Sequence, residues 1–442
     1  MYITRVNQQT IFHSFEKPHI SALLGSRRVG KSTLTQHYAN QYPERSWVFL
    51  NMDHMEQRLR VEKGELRQLI QESLHRTLDS AENKIWVLID EAQKCPALFE
   101  QIKTLYDEYK DKNKIKFILT GSGFLEPHRL SAESLAGRIE IYYLREFTLK
   151  EAISTKTQIQ SEIDKSTLFD YAFDNWNFKE LQTAVNLRTP LQKVAEYVLK
   201  ESLIWGGLPE VLELGENNQD RKLYLGNYLQ TYLERDVRSI STITDLHLYQ
   251  KLLEIIAEQT GSVRQDKKIT DALGCTRDTL KKYRGFLLST LVYKEIFPFI
   301  NNSIKRIVKS PKGYLLNNGL ISYLTGLIDL TLLEKTGIIG HRFENWLLNE
   351  LQVWLDRDSS RHEIYYWRTS ANNEVDFVVQ RKPDIFPIEV TFSTQIQKRK
   401  MNNLRMFLKN TPQAPRGYYV YMGPLAYNPE ERICFLPAYL LI

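Results

Sequence analysis

An apolar run, Ile20-Ser21-Ala22-Leu23-Leu24, breaks into Gly25-Ser26-Arg27-Arg28-Val29-Gly30-Lys31-Ser32, and a helical pattern follows at once. Glycines at that spacing let the backbone wrap tightly, so that successive N–H groups converge on one anion. A helix opening near Lys31 points the positive end of its dipole at the same place. The segment fits G-x-x-x-x-G-K-[ST], a motif that works only as the strand–loop–helix unit of a parallel sheet. Gly25, Ser26, Arg27, Arg28, Val29, Gly30, Lys31, Ser32 and Thr33 are thus expected to cradle the phosphates of ATP. Lys31 would reach them and Ser32 would ligate Mg²⁺. The plainer alternative is a glycine turn that happens to precede Lys-Ser.

A partner segment follows. Trp86-Val87-Leu88-Ile89-Asp90-Glu91 is a buried-strand pattern with two carboxylates at its carboxyl end, where parallel sheets bind ligands. Asp90 would orient Mg²⁺ through its water shell, and Glu91 would align or deprotonate the attacking water. Ser122, in Thr120-Gly121-Ser122, would either hold that water or cap a helix. Short apolar runs at 20–24, 47–52, 85–90, 116–120 and 139–144 alternate with helical stretches at 31–42, 56–78 and 97–110. That alternation predicts an α/β domain with a parallel sheet covered on both faces.

The phosphate loop, Ile89-Asp90-Glu91-Ala92-Gln93-Lys94, Leu119-Thr120-Gly121-Ser122 and Ser134-Leu135-Ala136-Gly137-Arg138 together resemble the AAA+ ATPase domain of a widespread prokaryotic family. Its members carry a C-terminal domain of unknown function. The resemblance extends through Gly206-Gly207-Leu208-Pro209-Glu210, Lys309-Ser310-Pro311-Lys312 and Asn318-Gly319-Leu320, although the family usually has Asp where this chain has Asn318. It implies Mg-ATP hydrolysis in a homo-oligomer, a hexameric ring being one form. Arg138 would reach a neighbour's ATP; the alternative is an arginine that pairs with a carboxylate at a sheet edge.

With 442 residues the chain has room for several cores, read as 1–150 (ATPase), 151–245 (helical lid or linker), 246–330 and 331–442. Lys plus Arg number 59 and Asp plus Glu 53, a net +6 too mild to decide a partner. Where the charge sits matters more. Residues 261–312 hold 12 Lys/Arg against 4 Asp/Glu. Within them Ile269–Tyr283 reads as helix, glycine turn, helix, similar to a winged helix-turn-helix. Its second helix would present Arg277, Lys281, Lys282 and Arg284 to DNA phosphates. A solvated basic face or a protein-docking module reads the same way.

Glu344 on a long helical run, Asp376 and Glu389 on strand-like runs resemble the restriction-endonuclease-like fold, whose three carboxylates hold Mg²⁺. That pattern wants Lys where this chain has Thr391, which puts cleavage in doubt unless Lys398 or Lys400 reaches back to supply the charge. Lys398, Arg399 and Lys400 open a stretch with basic residues and no acid, suited to phosphate contacts. The three cysteines, Cys95, Cys275 and Cys434, are far apart, and no apolar run reaches the roughly 18 residues of a membrane span. A cytoplasmic ATPase that binds DNA is expected, with a nucleotide-controlled switch acting on a protein partner as the rival.

Overall fold

The computed structural model describes residues 2–123, 135–157, 166–237, 243, 245–300, 309–358, 362–381 and 383–442. Ser134 of the family-like motif and Lys305 and Arg306 of the basic segment lie outside the described residues. The chain divides into two compact units. One comprises residues 6–145 with 289–291; the other comprises the first five residues, 146–288 and 292–442.

The first unit is built on five strands: β1 (Ile20–Leu24), β2 (Ser46–Asn51), β3 (Ile85–Asp90), β4 (Ile115–Gly121) and β5 (Ile139–Tyr143). They lie in the order β2-β3-β4-β1-β5, every pairing parallel. All five residues of β1 and all seven of β4 are buried, which is why these strands read as continuous apolar runs. Ile20, Ala22, Leu24, Val87, Ile89 and Leu119 share one core with Leu98, Ile102 and Leu105 of the helix Ala97–Tyr109. The helix expected over 56–78 is instead two, Met55–Glu62 and Leu66–Leu74. Gly64 between them takes φ +91°, a left-handed backbone that ends a helix.

In the second unit, helices such as Phe178–Arg188, Gln192–Trp205 and Asn218–Thr231 precede the basic segment. That segment runs helix Leu246–Glu258, β6 (Ser262–Val263), helices Asp266–Leu273 and Arg277–Ser289, β7 (Tyr293–Ile296) and β8 (Lys312–Leu315). Its sheet has the order β6-β8-β7, antiparallel throughout. Gly274, at φ +63°, makes the expected turn between the two short helices.

The C-terminal sheet contains β9 (His362–Arg368), β10 (Glu374–Arg381), β11 (Asp384–Thr391), β12 (Gly417–Tyr421), β13 (Ala426–Asn428) and β14 (Ile433–Pro437). Its order is β13-β14-β12-β11-β10-β9; the pairs β11–β12 and β12–β14 are parallel. The helix Lys398–Asn410 lays Met401, Leu404, Phe407 and Leu408 against Val375, Val378 and Tyr419 of this sheet. Among the described residues no helix is long and apolar enough to cross a membrane.

Candidate functional site

The phosphate loop leaves the carboxyl end of β1. A Cβ on Gly25 would lie 2.1 Å from the Leu144 carbonyl oxygen, so only glycine fits. Gly30 takes φ +96° just before the helix Lys31–Asn40, whose first N–H groups face the loop. Val29 is buried and pins the loop from below, while Arg28 and Thr33 are exposed. The Lys31 ammonium donates to the carbonyls of Gly25 (3.0 Å) and Ser26 (2.9 Å). Ser32 Oγ donates to Asp90 Oδ2 at 2.9 Å. The other oxygen, Oδ1, accepts from the Thr120 hydroxyl and from the Glu91 N–H at 3.1 Å.

Lys31, Ser32, Asp90, Glu91 and Ser122, the residues singled out for the chemistry, thus stand together at the carboxyl ends of β1, β3 and β4. Ser32 and Asp90 are hard oxygen donors of the kind Mg²⁺ takes, and they already face each other. Among the described residues no group of three or more His, Cys, Asp or Glu stands ready to hold a metal ion. A Mg²⁺ ion shared with phosphate oxygens and water needs no such cage. The residues present fit Mg-ATP.

Two residues at this site carried no expectation. Thr120 closes on Asp90, and Gln93 Nε2 donates to Glu91 Oε2 (2.6 Å) and to Ser122 Oγ (3.1 Å). A hydroxyl at a strand end beside the two carboxylates was the available signal for Thr120. Gln93 gave none, because its reach depends on the 3-10 turn Ala92–Lys94 that follows Glu91.

The basic helix Arg277–Ser289 is partly corrected. Arg277, Lys281 and Lys282 are exposed. Arg284, expected on the DNA face, is 9% exposed. It pairs with Asp266 (2.9 Å) and Glu295 (3.0 Å), and Arg264 binds the same two acids. Position 284 follows Leu280 by one turn and shares the inward face with Tyr283 and Leu287, all buried.

The C-terminal carboxylates Glu344, Asp376 and Glu389 are all buried, and lysines stand beside them. Lys312 Nζ, from β8, lies 3.0 Å from Glu344 and 2.6 Å from Glu374. Tyr314 donates to Glu344 at 2.5 Å. Lys400 Nζ lies 2.5 Å from Asp376 and 3.1 Å from Glu389, and donates to the Val390 carbonyl at 2.8 Å. Lys400 therefore turns into the carboxylate cluster instead of joining exposed Lys398 and Arg399 on an outer basic face. Burial alone would raise the Asp376 carboxyl, but Lys400 and Lys312 outweigh it and hold it down at about 2. Burial and the Asp376 charge push Glu389 well above the usual carboxylate range. Thr391 meets the Tyr419 hydroxyl at 3.0 Å.

Residues 17–153 match the family described as an AAA domain. The chain carries an AAA+ ATPase domain. Behind it, residues 196–331 match the domain of unknown function DUF8612, and residues 339–441 match the domain of unknown function DUF4143. The chain is 26% identical over 356 residues to the uncharacterized proteins Rv2008c of Mycobacterium tuberculosis and Mb2031c of Mycobacterium bovis. The shared stretch is 80% of this chain and 68% of each relative. Among solved structures it overlaps the Aeropyrum pernix ORC1 protein in complex with DNA (12% identity, 74% of this chain, 92% of that chain, TM-score 0.30). It also overlaps the Thermotoga maritima RuvB Holliday junction branch migration motor (16% identity, 66% and 89%, TM-score 0.27). Overlap at this level says nothing of function.

Within the AAA+ domain, Arg138 lies at the amino end of β5, where its carbonyl accepts from the Ile20 N–H that starts β1. The phosphate loop leaves the opposite end of β1, a strand length of roughly 16 Å away. Arg138 makes a two-pronged pair with Asp107 of the helix Ala97–Tyr109, both contacts at 2.8 Å. It therefore stands far from the phosphate loop of its own chain.

Proposed function

We propose that this chain is an oligomeric Mg-ATP-hydrolysing AAA+ protein that binds duplex or branched DNA, such as a four-way junction. It would couple ATP turnover to remodelling or translocation of that DNA. The observation that carries the ATPase reading is the Ser32–Asp90 contact, with Lys31 and Glu91 beside it. When bound, Mg²⁺ would neutralise charge on the phosphates, held by Ser32 directly and by Asp90 through water. Lys31 releases the two loop carbonyls and turns to the phosphates. Glu91 aligns the attacking water and accepts its proton, and Ser122 holds that water from the end of β4. Arg138 acts on the ATP of a neighbouring subunit, which its place at the end of the sheet opposite the phosphate loop requires if it touches ATP at all.

DNA binding is supported by exposed Lys267, Lys268, Arg277, Lys281 and Lys282 on two helices joined by a glycine turn. With the sheet β6-β8-β7 behind them, we read residues 246–330 as a winged-helix-like module. Residues 331–442 are read as restriction-endonuclease-like, with exposed Lys398 and Arg399 contributing phosphate contacts. The rival, a switch acting through a protein partner, is favoured by one observation: Arg264, Arg284, Lys312 and Lys400 are all spent on internal acids. ATP turnover measured with single-stranded, duplex and four-way-junction DNA over a salt series separates the two. DNA-stimulated turnover and binding that weakens steeply with salt support the DNA reading; turnover blind to DNA with no salt-dependent binding overturns it.

A further inference from the structure

Glu91 takes φ +53°, and the turn Ala92–Lys94 then folds back, closed by the Lys94 N–H on the Glu91 carbonyl at 3.0 Å. This turn brings Gln93 alongside the residue two before it. Its amide nitrogen bridges Glu91 Oε2 (2.6 Å) and Ser122 Oγ (3.1 Å), so one side chain joins the ends of β3 and β4. The amide orientation follows from chemistry: turned over, its oxygen would face the Glu91 carboxylate, acceptor against acceptor. Gln93 Oε1 is buried and has no hydrogen-bond partner among the described residues. It lies where a Cβ on Gly121 would come within 2.6 Å. Gly121 is therefore the residue that lets the amide lie flat against the end of β4. A buried amide oxygen left unpaired costs stability and calls for a reason.

We propose that Gln93 is a positioning residue that couples Glu91 to Ser122. The proposal rests on the ATPase reading above. Glu91 is the group that aligns water, and Gln93 links it to Ser122 at the neighbouring strand end. A shift of Ser122 on nucleotide binding or hydrolysis is passed through the amide to the Glu91 carboxylate. The 2.6 Å contact also fixes which carboxylate oxygen stays open to accept a proton. Gln93→Glu keeps the length and puts a second carboxylate against Glu91, which like-charge repulsion drives apart.

The test is steady-state turnover and nucleotide affinity, on the full chain, for Gln93→Ala, Gln93→Glu, Ser122→Ala, Gly121→Ala and the double variant Gln93→Ala/Ser122→Ala. Expected are ATP affinities within about twofold of the parent and a kcat about tenfold or more lower in each single variant. The double variant should be no worse than the worse single, the mark of residues that act as one. Gly121→Ala should show the same loss, since its methyl displaces the amide without altering Gln93. Multiplying losses in the double variant overturn the coupling. So does an unchanged or raised kcat in Gln93→Ala, or an affinity that falls along with kcat. If the parent chain does not hydrolyse ATP, the ATPase reading falls and takes this one with it. If the parent turns over and Gln93→Ala matches it, this inference alone fails.

Discussion

The Lys400 ammonium stands 2.5 Å from Asp376 Oδ2 and reaches Glu389 as well, so a helix supplies the positive charge that Thr391 on β11 lacks. Thr391→Lys therefore should not create a missing group. It would force a second ammonium into a buried place already held by Tyr419 and Lys400. Thr391→Lys should destabilise, by about 1–3 kcal/mol for overpacking. Lys400→Ala should cost about 3–5 kcal/mol, because it strands two buried acids. Denaturant unfolding checks both, and a neutral Lys400→Ala would show that the pair is not buried in solution.

For the ATP site, Lys31→Ala should weaken ATP binding at least tenfold, since it removes the charge aimed at the phosphates. Glu91→Gln should bind normally and lose turnover by about 10²-fold or more, keeping shape without basicity. Equilibrium binding and a phosphate-release assay on the same preparations separate the two effects. Full turnover in Glu91→Gln would remove Glu91 from the mechanism.

Arg138 and Asp107 form a half-exposed, solvent-screened pair that adds little to stability. Asp107→Ala should thus leave stability and turnover nearly unchanged, whereas Arg138→Ala should abolish turnover if Arg138 completes a neighbour's site. Mixing inactive Glu91→Gln with inactive Arg138→Ala subunits should then restore part of the activity. A monomer with normal turnover in Arg138→Ala contradicts the shared site.

On the helix Arg277–Ser289, charge reversal at Lys281 and Lys282 should lower DNA affinity alike on all sequences and flatten its salt dependence, without loss of stability. Arg284→Ala should do the opposite. It leaves Glu295 with less positive charge around it and should cost about 2–4 kcal/mol of stability. Equal effects of the two changes on DNA affinity alone would place Arg284 on the surface after all.

A pH dependence follows from Glu146, whose carboxylate accepts from Asn317 Nδ2 (2.5 Å) and from the Gly207 N–H (3.1 Å). Burial raises it to about 7, against those two hydrogen bonds. The fold then binds its proton more tightly than the unfolded chain, whose value is near 4.3. Its contribution is fully present below about pH 4.3 and is lost as pH rises through about 7, a change of about 3–4 kcal/mol. Between pH 5 and 7.5 the unfolding midpoint of the parent should fall relative to that of Glu146→Gln. Parallel midpoints across that range would show that Glu146 does not carry the dependence.

The nucleotide site was legible because its residues are local. The loop from Gly25 to Ser32 and the strand ending in Asp90-Glu91 each carry their chemistry within one short segment. The strands of the first unit read equally well, since burial on both faces leaves an unbroken apolar run in β1 and β4. The lysines read poorly. Nothing in the residues around Lys312 says that it faces a buried acid, and Lys400 reads equally as part of an outer basic face or as a group reaching back to the acids. Arg284 lies between the two cases: its spacing from Leu280, Tyr283 and Leu287 marks an inward face, while its charge reads as part of a continuous basic helix.

Lys312 sits on β8, among residues that read as the basic module, while Glu344 and Glu374 sit in the stretch that follows. A cut near residue 331 would leave an uncompensated ammonium in one fragment and uncompensated acids in the other. Neither fragment would then be a fair sample of its behaviour in the whole chain. The two stretches are therefore one electrostatic unit, and a charge removed from either leaves its partner buried and unanswered.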